Sequence, residues 1–166
     1  MIVGLLSDTH DHLSLIDEVI KQLNEMNVEL VLHAGDYISP FVTEHFKQLK
    51  APMIGVFGNN DGDRTLLKKK FAELGADIRG RFAFVLVDGL RIALLHGDET
   101  ELLRSLLELE SYDVLVYGHT HAPKTYRKGR MLVINPGEVC GLLSGKPTMS
   151  ILDTQTLDVQ TIQLNT

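Results

Sequence analysis

Apolar residues come in short blocks along this chain, and each block ends in glycine and polar residues. "IVGLL", Ile2 to Leu6, is too short for a helix and breaks at Ser7-Asp8-Thr9-His10, so it reads as a buried strand. Beyond it Leu13, Ile16, Ile20 and Leu23 recur at the spacing of one helical face. The alternation repeats with a strand over Leu30 to His33, a helix opened by Pro40 in "PFVTEHFKQL", a strand in "MIGVF", and a helix from Asp63 to Leu74 stopped by Gly75. Such an order predicts a parallel sheet with right-handed crossovers.

The rhythm then changes. In "FAFVLVDGLRIALLH", Asp88-Gly89 separates two alternating runs and signals a hairpin, because both residues accept the left-handed backbone of a tight turn. A helix from about Glu99 to Leu109 leads into a strand at Val114 to Tyr117. Three more strands are expected around Met131 to Ile134, Thr148 to Leu152 and Leu157 to Gln163. Antiparallel pairing is expected to dominate this half, giving two packed sheets with helices outside. With 166 residues, no internal repeat and no linker, a single domain over 1–166 is expected.

Composition narrows the class. A chain 44% hydrophobic and 23% charged is globular in type, and no apolar run approaches the ~20 residues of a membrane span. The N-terminus lacks the basic start and cleavage site of a signal peptide, so a cytoplasmic address is expected. The lone Cys140 cannot form an internal disulfide and reads as a small buried hydrophobe. A formal charge of -6 argues against a duplex nucleic-acid partner, which would demand clustered Lys and Arg. A homo-oligomer stays open.

The polar residues gather where strands stop: Asp8-Thr9-His10, Gly35-Asp36, Gly58-Asn59-Asn60-Asp61, His96-Gly97-Asp98 and Gly118-His119-Thr120-His121. Ligands of open α/β sheets bind at the carboxyl ends of the strands, so five loops are expected at one edge. If Thr120 keeps extended geometry, His119 and His121 face one point; otherwise "GHTH" is a polar turn. Each short pattern alone is weak, and the five together point to a metal centre.

The ordered set D-x-H, G-D, G-N-x-D, H, G-H-x-H resembles the calcineurin-like metallophosphoesterase superfamily, and nearly the whole chain looks like its small single-domain YfcE-type phosphodiesterases. The resemblance implies a four-layer α/β/β/α sandwich of two mixed β-sheets flanked by helices. It also implies a metal-dependent phosphodiesterase that attacks a small phosphodiester with a hydroxide activated by two metals. Asp8, His10 and His121 would hold one ion, Asn59, His96 and His119 the other, with Asp36 bridging. Nitrogen and oxygen donors suit divalent Mn or Ni, with Fe, Co or Zn also compatible.

Two positions depart from the family pattern. Asn60 stands where many members carry histidine, and an amide can donate a hydrogen bond but cannot deliver a proton. Diesters with acidic leaving groups are therefore expected. Asp98 stands where small relatives often carry histidine, and it would repel phosphate, take a cation or face solvent. Substrate contact is expected of Asn60, His12 and Asp98, and catalytic roles of Asp36, Asn60 and His96. His33 reads as a buried, hydrogen-bonded residue; Asp61 as a partner of the Asn59 loop or a helix cap; "NPGE", Asn135 to Glu138, as a chain reversal; His45 receives no role. Two other classes compete. A non-catalytic scaffold, as in a retromer subunit of the same fold, would be marked by degraded ligands, whereas every ligand position here holds a competent side chain. A (β/α)₈ zinc amidohydrolase usually needs ~250 residues.

Overall fold

In the computed structural model, which describes residues 1–165, two sheets pack face to face. The first has the order β11-β10-β1-β2-β3-β4, where β1 is Ile2–Leu6, β2 Leu30–His33, β3 Met53–Gly55, β4 Asp77–Ile78, β10 Thr148–Asp153 and β11 Val159–Gln163. The second has the order β5-β6-β7-β9-β8, with β5 Phe82–Val87, β6 Leu90–Leu95, β7 Val114–Val116, β8 Lys124–Lys128 and β9 Met131–Asn135. Helices α1 (Leu13–Glu25), α2 (Thr43–Phe46, entered through a 3-10 turn at Pro40–Val42) and α3 (Arg64–Glu73) cover the first sheet; α4 (Thr100–Leu109) covers the second.

Strand alternation explains the layers. Val3, Leu5, Leu30 and Leu32 of the first sheet meet Ile92, Leu94, Val114 and Val116 of the second in the central core. The intervening Leu6 and Val31 face Ile16, Ile20 and Leu23 of α1, while Ala93, Leu95 and Leu115 face Leu106 of α4. Burying both faces of each sheet is why these strands read as unbroken apolar runs. The result is the expected α/β/β/α sandwich of mixed sheets.

The pairing differs from expectation in its second half. The hairpin β5-β6 is antiparallel, but β6, β7 and β9 run parallel at the centre of the second sheet, so antiparallel pairing is confined to its edges. β10 leaves that sheet and pairs antiparallel with β1, Ile2 opposite Asp153. β1, β2 and β3 are parallel and so are β6 and β7, so each set delivers its loops in a common direction. Among the described residues, no helix is long and apolar enough to cross a membrane.

Candidate metal centre

Five strand ends deliver the candidate donors. Asp8 and His10 follow β1, Asp36 follows β2, Asn59 and Asn60 follow β3, His96 follows β6, and His119 and His121 follow β7. Asp8 Oδ1 lies 3.5 Å from His10 Nε2, 3.3 Å from His121 Nε2 and 3.9 Å from His96 Nε2. Asp36 Oδ2 lies 3.3 Å from His10 Nε2 and 3.4 Å from His96 Nε2. Two overlapping groups result: in Asp8, His10 and His121, and again in Asp8, Asp36 and His96, the donor atoms lie within 4.8 Å of one another.

The backbone bends sharply to achieve this. Asp8 (φ 55°), His10 (φ 42°), Asp36 (φ 61°), His119 (φ 65°) and His121 (φ 59°) all occupy the left-handed region, which L-residues enter at a cost. The extended "GHTH" geometry is therefore not adopted. β7 stops at Val116 rather than Tyr117, Thr120 N turns back to Gly118 O at 2.7 Å, and the two imidazoles part. His121 tilts against His10 with ring centroids 5.3 Å apart, while His119 meets His96 edge-on at 5.1 Å. Close approach demands glycine: a Cβ on Gly118 would overlap Ser7 Oγ, and one on Gly58 would overlap the Asp36 carboxylate.

Among the described residues, Asp8 Oδ1, His10 Nε2 and His96 Nε2 are buried without a hydrogen-bond partner. Buried polar atoms are normally satisfied, so a cluster of unspent donor atoms around fully buried Asp8 and Asp36 fits a cation. Electrostatics agree. The Asp36 and Asp8 carboxylates raise His10 to about 9. Burial opposes a charge on His96, yet Asp36 and Asp8 outweigh it and raise this group too. Burial likewise works against the Asp36 carboxylate, but His10, His96 and Asn60 hold it well below the usual range. The two carboxylates favour positive charge on these imidazoles, the same sign of charge that a cation would bring.

The model of the calcineurin-like phosphoesterase superfamily domain matches residues 1–157. The chain belongs to this superfamily. Within it, the phosphodiesterase MJ0936 of Methanocaldococcus jannaschii is 42% identical over 99% of both chains, and the phosphodiesterase YfcE of Escherichia coli is 28% identical over 92% of this chain and 88% of its own length. A solved archaeal phosphodiesterase superposes with a TM-score of 0.94 at 41% identity, covering 99% of this chain and 100% of the other.

Around this superfamily's constellation lie the other residues that the sequence singles out. Asn59 and Asn60 are exposed, and Asn60 is committed to Asp36 through its backbone N (2.9 Å to Oδ1) and side-chain Nδ2 (2.7 Å to Oδ2). Asp98 is bound by Arg81 Nη2 at 2.6 Å, a partner that sequence reasoning missed because no local pattern joins the two. His12 is half-buried at the start of α1, its Nδ1 3.4 Å from Ser14 Oγ. His45 pairs with Asp17 of α1 at 2.7 Å. His33 is fully buried, accepting from Gly35 N at Nδ1 (3.1 Å) and facing Thr9 Oγ1 at Nε2 (3.3 Å). Asp61 caps no helix: Asp63 caps α3, while Asp61 accepts backbone N–H groups of Asp36, Tyr37, Ile38 and Gly58.

Glu138 closes the "NPGE" stretch expected to be a chain reversal. It is fully buried, with Oε2 2.6 Å from His121 Nδ1 and 3.1 Å from Cys140 Sγ. Burial would push this carboxyl up, but His121, Ser144 and Cys140 bring it down to about 2. Burial and the neighbouring carboxylates push the Cys140 thiol up to about 12, so it is a poor nucleophile.

Proposed function

We propose that this chain is a phosphodiesterase whose centre holds two divalent transition-metal cations, Mn or Ni foremost, with Fe, Co or Zn also suited to the donors. The observation that carries the reading is the meeting of Asp8 Oδ1 and Asp36 Oδ2 with three imidazole Nε2 atoms at 3.3 to 3.9 Å, several of these atoms having no hydrogen-bond partner among the described residues. The phosphodiesterase names of its relatives support the same activity class. Asp8, His10 and His121 would hold one cation and Asn59, His96 and His119 the other, with Asp36 shared. When bound, such a pair supplies a water of lowered pKa and neutralises charge on phosphoryl oxygens.

The chain's own residues do the rest. His96 donates Nδ1–H to Ala34 O at 2.8 Å, which leaves its Nε2 lone pair directed inward. Asn60 uses one N–H of its side-chain amide on Asp36 and has a second for a phosphoryl or leaving oxygen. Neither N–H can be released as a proton at neutral pH, so the leaving group must be stable as an anion. Aryl diesters are therefore favoured over alkyl diesters. His12 is retained as a substrate contact, whereas Asp98, its charge compensated by Arg81, serves the loop geometry.

The test is to strip the protein of metal, restore Mn, Ni, Co, Mg or Zn separately, and follow an aryl phosphodiester beside the corresponding monoester. Diester hydrolysis that returns with metal and disappears in Asp36→Ala and His119→Ala is the expected result. Metal-replete protein that cleaves neither ester would favour the scaffold reading.

A further inference from the structure

We infer that Glu138 is a positioning residue: by accepting the Nδ1 proton of His121 it fixes the tautomer whose Nε2 lone pair faces Asp8. The inference deepens the metal-centre reading and rests on it for its consequence, though not for its geometry. His121 Nε2 lies 3.3 Å from Asp8 Oδ1, so the nitrogen turned toward the centre is the one that Glu138 does not touch. A ligating imidazole needs that nitrogen bare, and a carboxylate on the opposite nitrogen is the usual means of keeping it so.

The carboxylate is aimed by groups independent of His121. Oε1 accepts from Ser144 N at 2.5 Å, Leu143 N is shared between Oε1 (3.1 Å) and Oε2 (3.2 Å), and backbone amides can only donate. The segment is also tied to the end of β1, since Val139 N donates to Ser7 O and Cys140 N to Asp8 O, both at 3.0 Å. One rigid stretch therefore carries both the Asp8 backbone and the partner of His121.

This arrangement makes Glu138→Gln informative. Ser144 N, bonded to Oε1 alone, claims the remaining amide oxygen, so the new NH₂ occupies the place of Oε2 and donates toward His121 Nδ1. The ring then has to carry its proton on Nε2, where it blocks a cation.

Two measurements test the idea. Histidine ¹⁵N NMR of metal-free protein at about pH 10, above ordinary histidine titration, should show His121 with its proton on Nδ1 in wild type and on Nε2 in Glu138→Gln. Manganese titration should show a loss of about 10- to 100-fold in affinity in the variant, the scale usual for such partners. A wild-type His121 protonated on Nε2 overturns the inference, and so does a variant with an unchanged tautomer and affinity within about twofold of wild type. Should the variant not fold, the wild-type spectrum decides alone. Wild-type protein that binds no manganese, while its tautomer switches as stated, would refute the metal-centre reading and leave the Glu138 geometry standing.

Discussion

Arg81 Nη2 lies 2.6 Å from Asp98 Oδ2, and Nη1 of the same guanidinium donates to Gly58 O at 3.0 Å. The loop after β6 is thus clamped to the loop that carries Asn59. Arg64 Nη2 reaches the same carbonyl at 2.8 Å. Asp98 anchors Arg81, and the guanidinium meets its charge. Removing either partner should cost about 1 to 2 kcal/mol, Arg81→Ala the more because it also gives up the bond to Gly58 O, since both side chains are mostly sheltered. Urea unfolding of Asp98→Ala, Arg81→Ala and the double variant should give a coupling energy of about 1 kcal/mol. Additive losses would mean that the two act independently.

The left-handed backbone at the strand ends makes a second prediction. His119 sits at φ 65°, where alanine is strained and glycine is not. In metal-free protein, His119→Gly should be more stable than His119→Ala by about 1 kcal/mol, although glycine ordinarily destabilises. Both variants should lose cation affinity alike. Thermal unfolding of the pair reads the difference, and a more stable alanine variant would mean that this turn relaxes once the imidazole is gone.

Those turns mark the limit of what is legible in the sequence. The strand ends, the helices and the five polar loops follow from apolar runs and their breaks, because burial on both sheet faces leaves a local imprint. β8 leaves none: "KTYRK" is an edge strand, largely exposed, with no alternation of apolar residues. The transfer of β10 to β1 depends on which partner it finds in space, and Thr148 to Asp153 looks the same either way. Left-handed Asp and His are invisible because both residues are common in ordinary turns. Arg81 with Asp98, and Glu138 with His121, are separated by about seventeen residues and by the fold itself.

His33 sets a pH dependence. Burial lowers its pKa from the ordinary 6.5 to about 3, so folded protein keeps it neutral where the unfolded chain takes up a proton. Between those values the unfolded state binds more protons, and stability rises with pH. Acidification from pH 6.5 should therefore cost about 1.4 kcal/mol per pH unit from this group, with the full contribution present only above 6.5. Urea unfolding of metal-free protein at several pH values, beside His33→Gln, would isolate it: the variant should show a slope shallower by about that amount. Equal slopes would mean that His33 is protonated in the fold, which its acceptance of Gly35 N–H at Nδ1 opposes.

Asp61 is where stability and the candidate site meet. Its Oδ1 accepts from Tyr37 N (2.6 Å) and Ile38 N (2.9 Å), and its Oδ2 from Gly58 N (2.7 Å) and Asp36 N (3.1 Å). All four donors are backbone amides, fixed in polarity, and they belong to the loops that present Asp36 and Asn59. Asparagine is nearly isosteric but must turn an NH₂ group toward two of those amides, leaving buried donors facing a donor. Asp61→Asn should therefore cost about 2 to 4 kcal/mol in urea unfolding, more than an exposed carboxylate could. Because the same bonds set the Asp36 backbone, manganese affinity should fall with stability even though Asp61 offers no atom to the cation. A control such as Glu25→Gln, exposed at the end of α1, should change neither quantity. If Asp61→Asn were as stable as wild type yet lost manganese binding, Asp61 would have to act on the cation itself rather than through the loops it ties together.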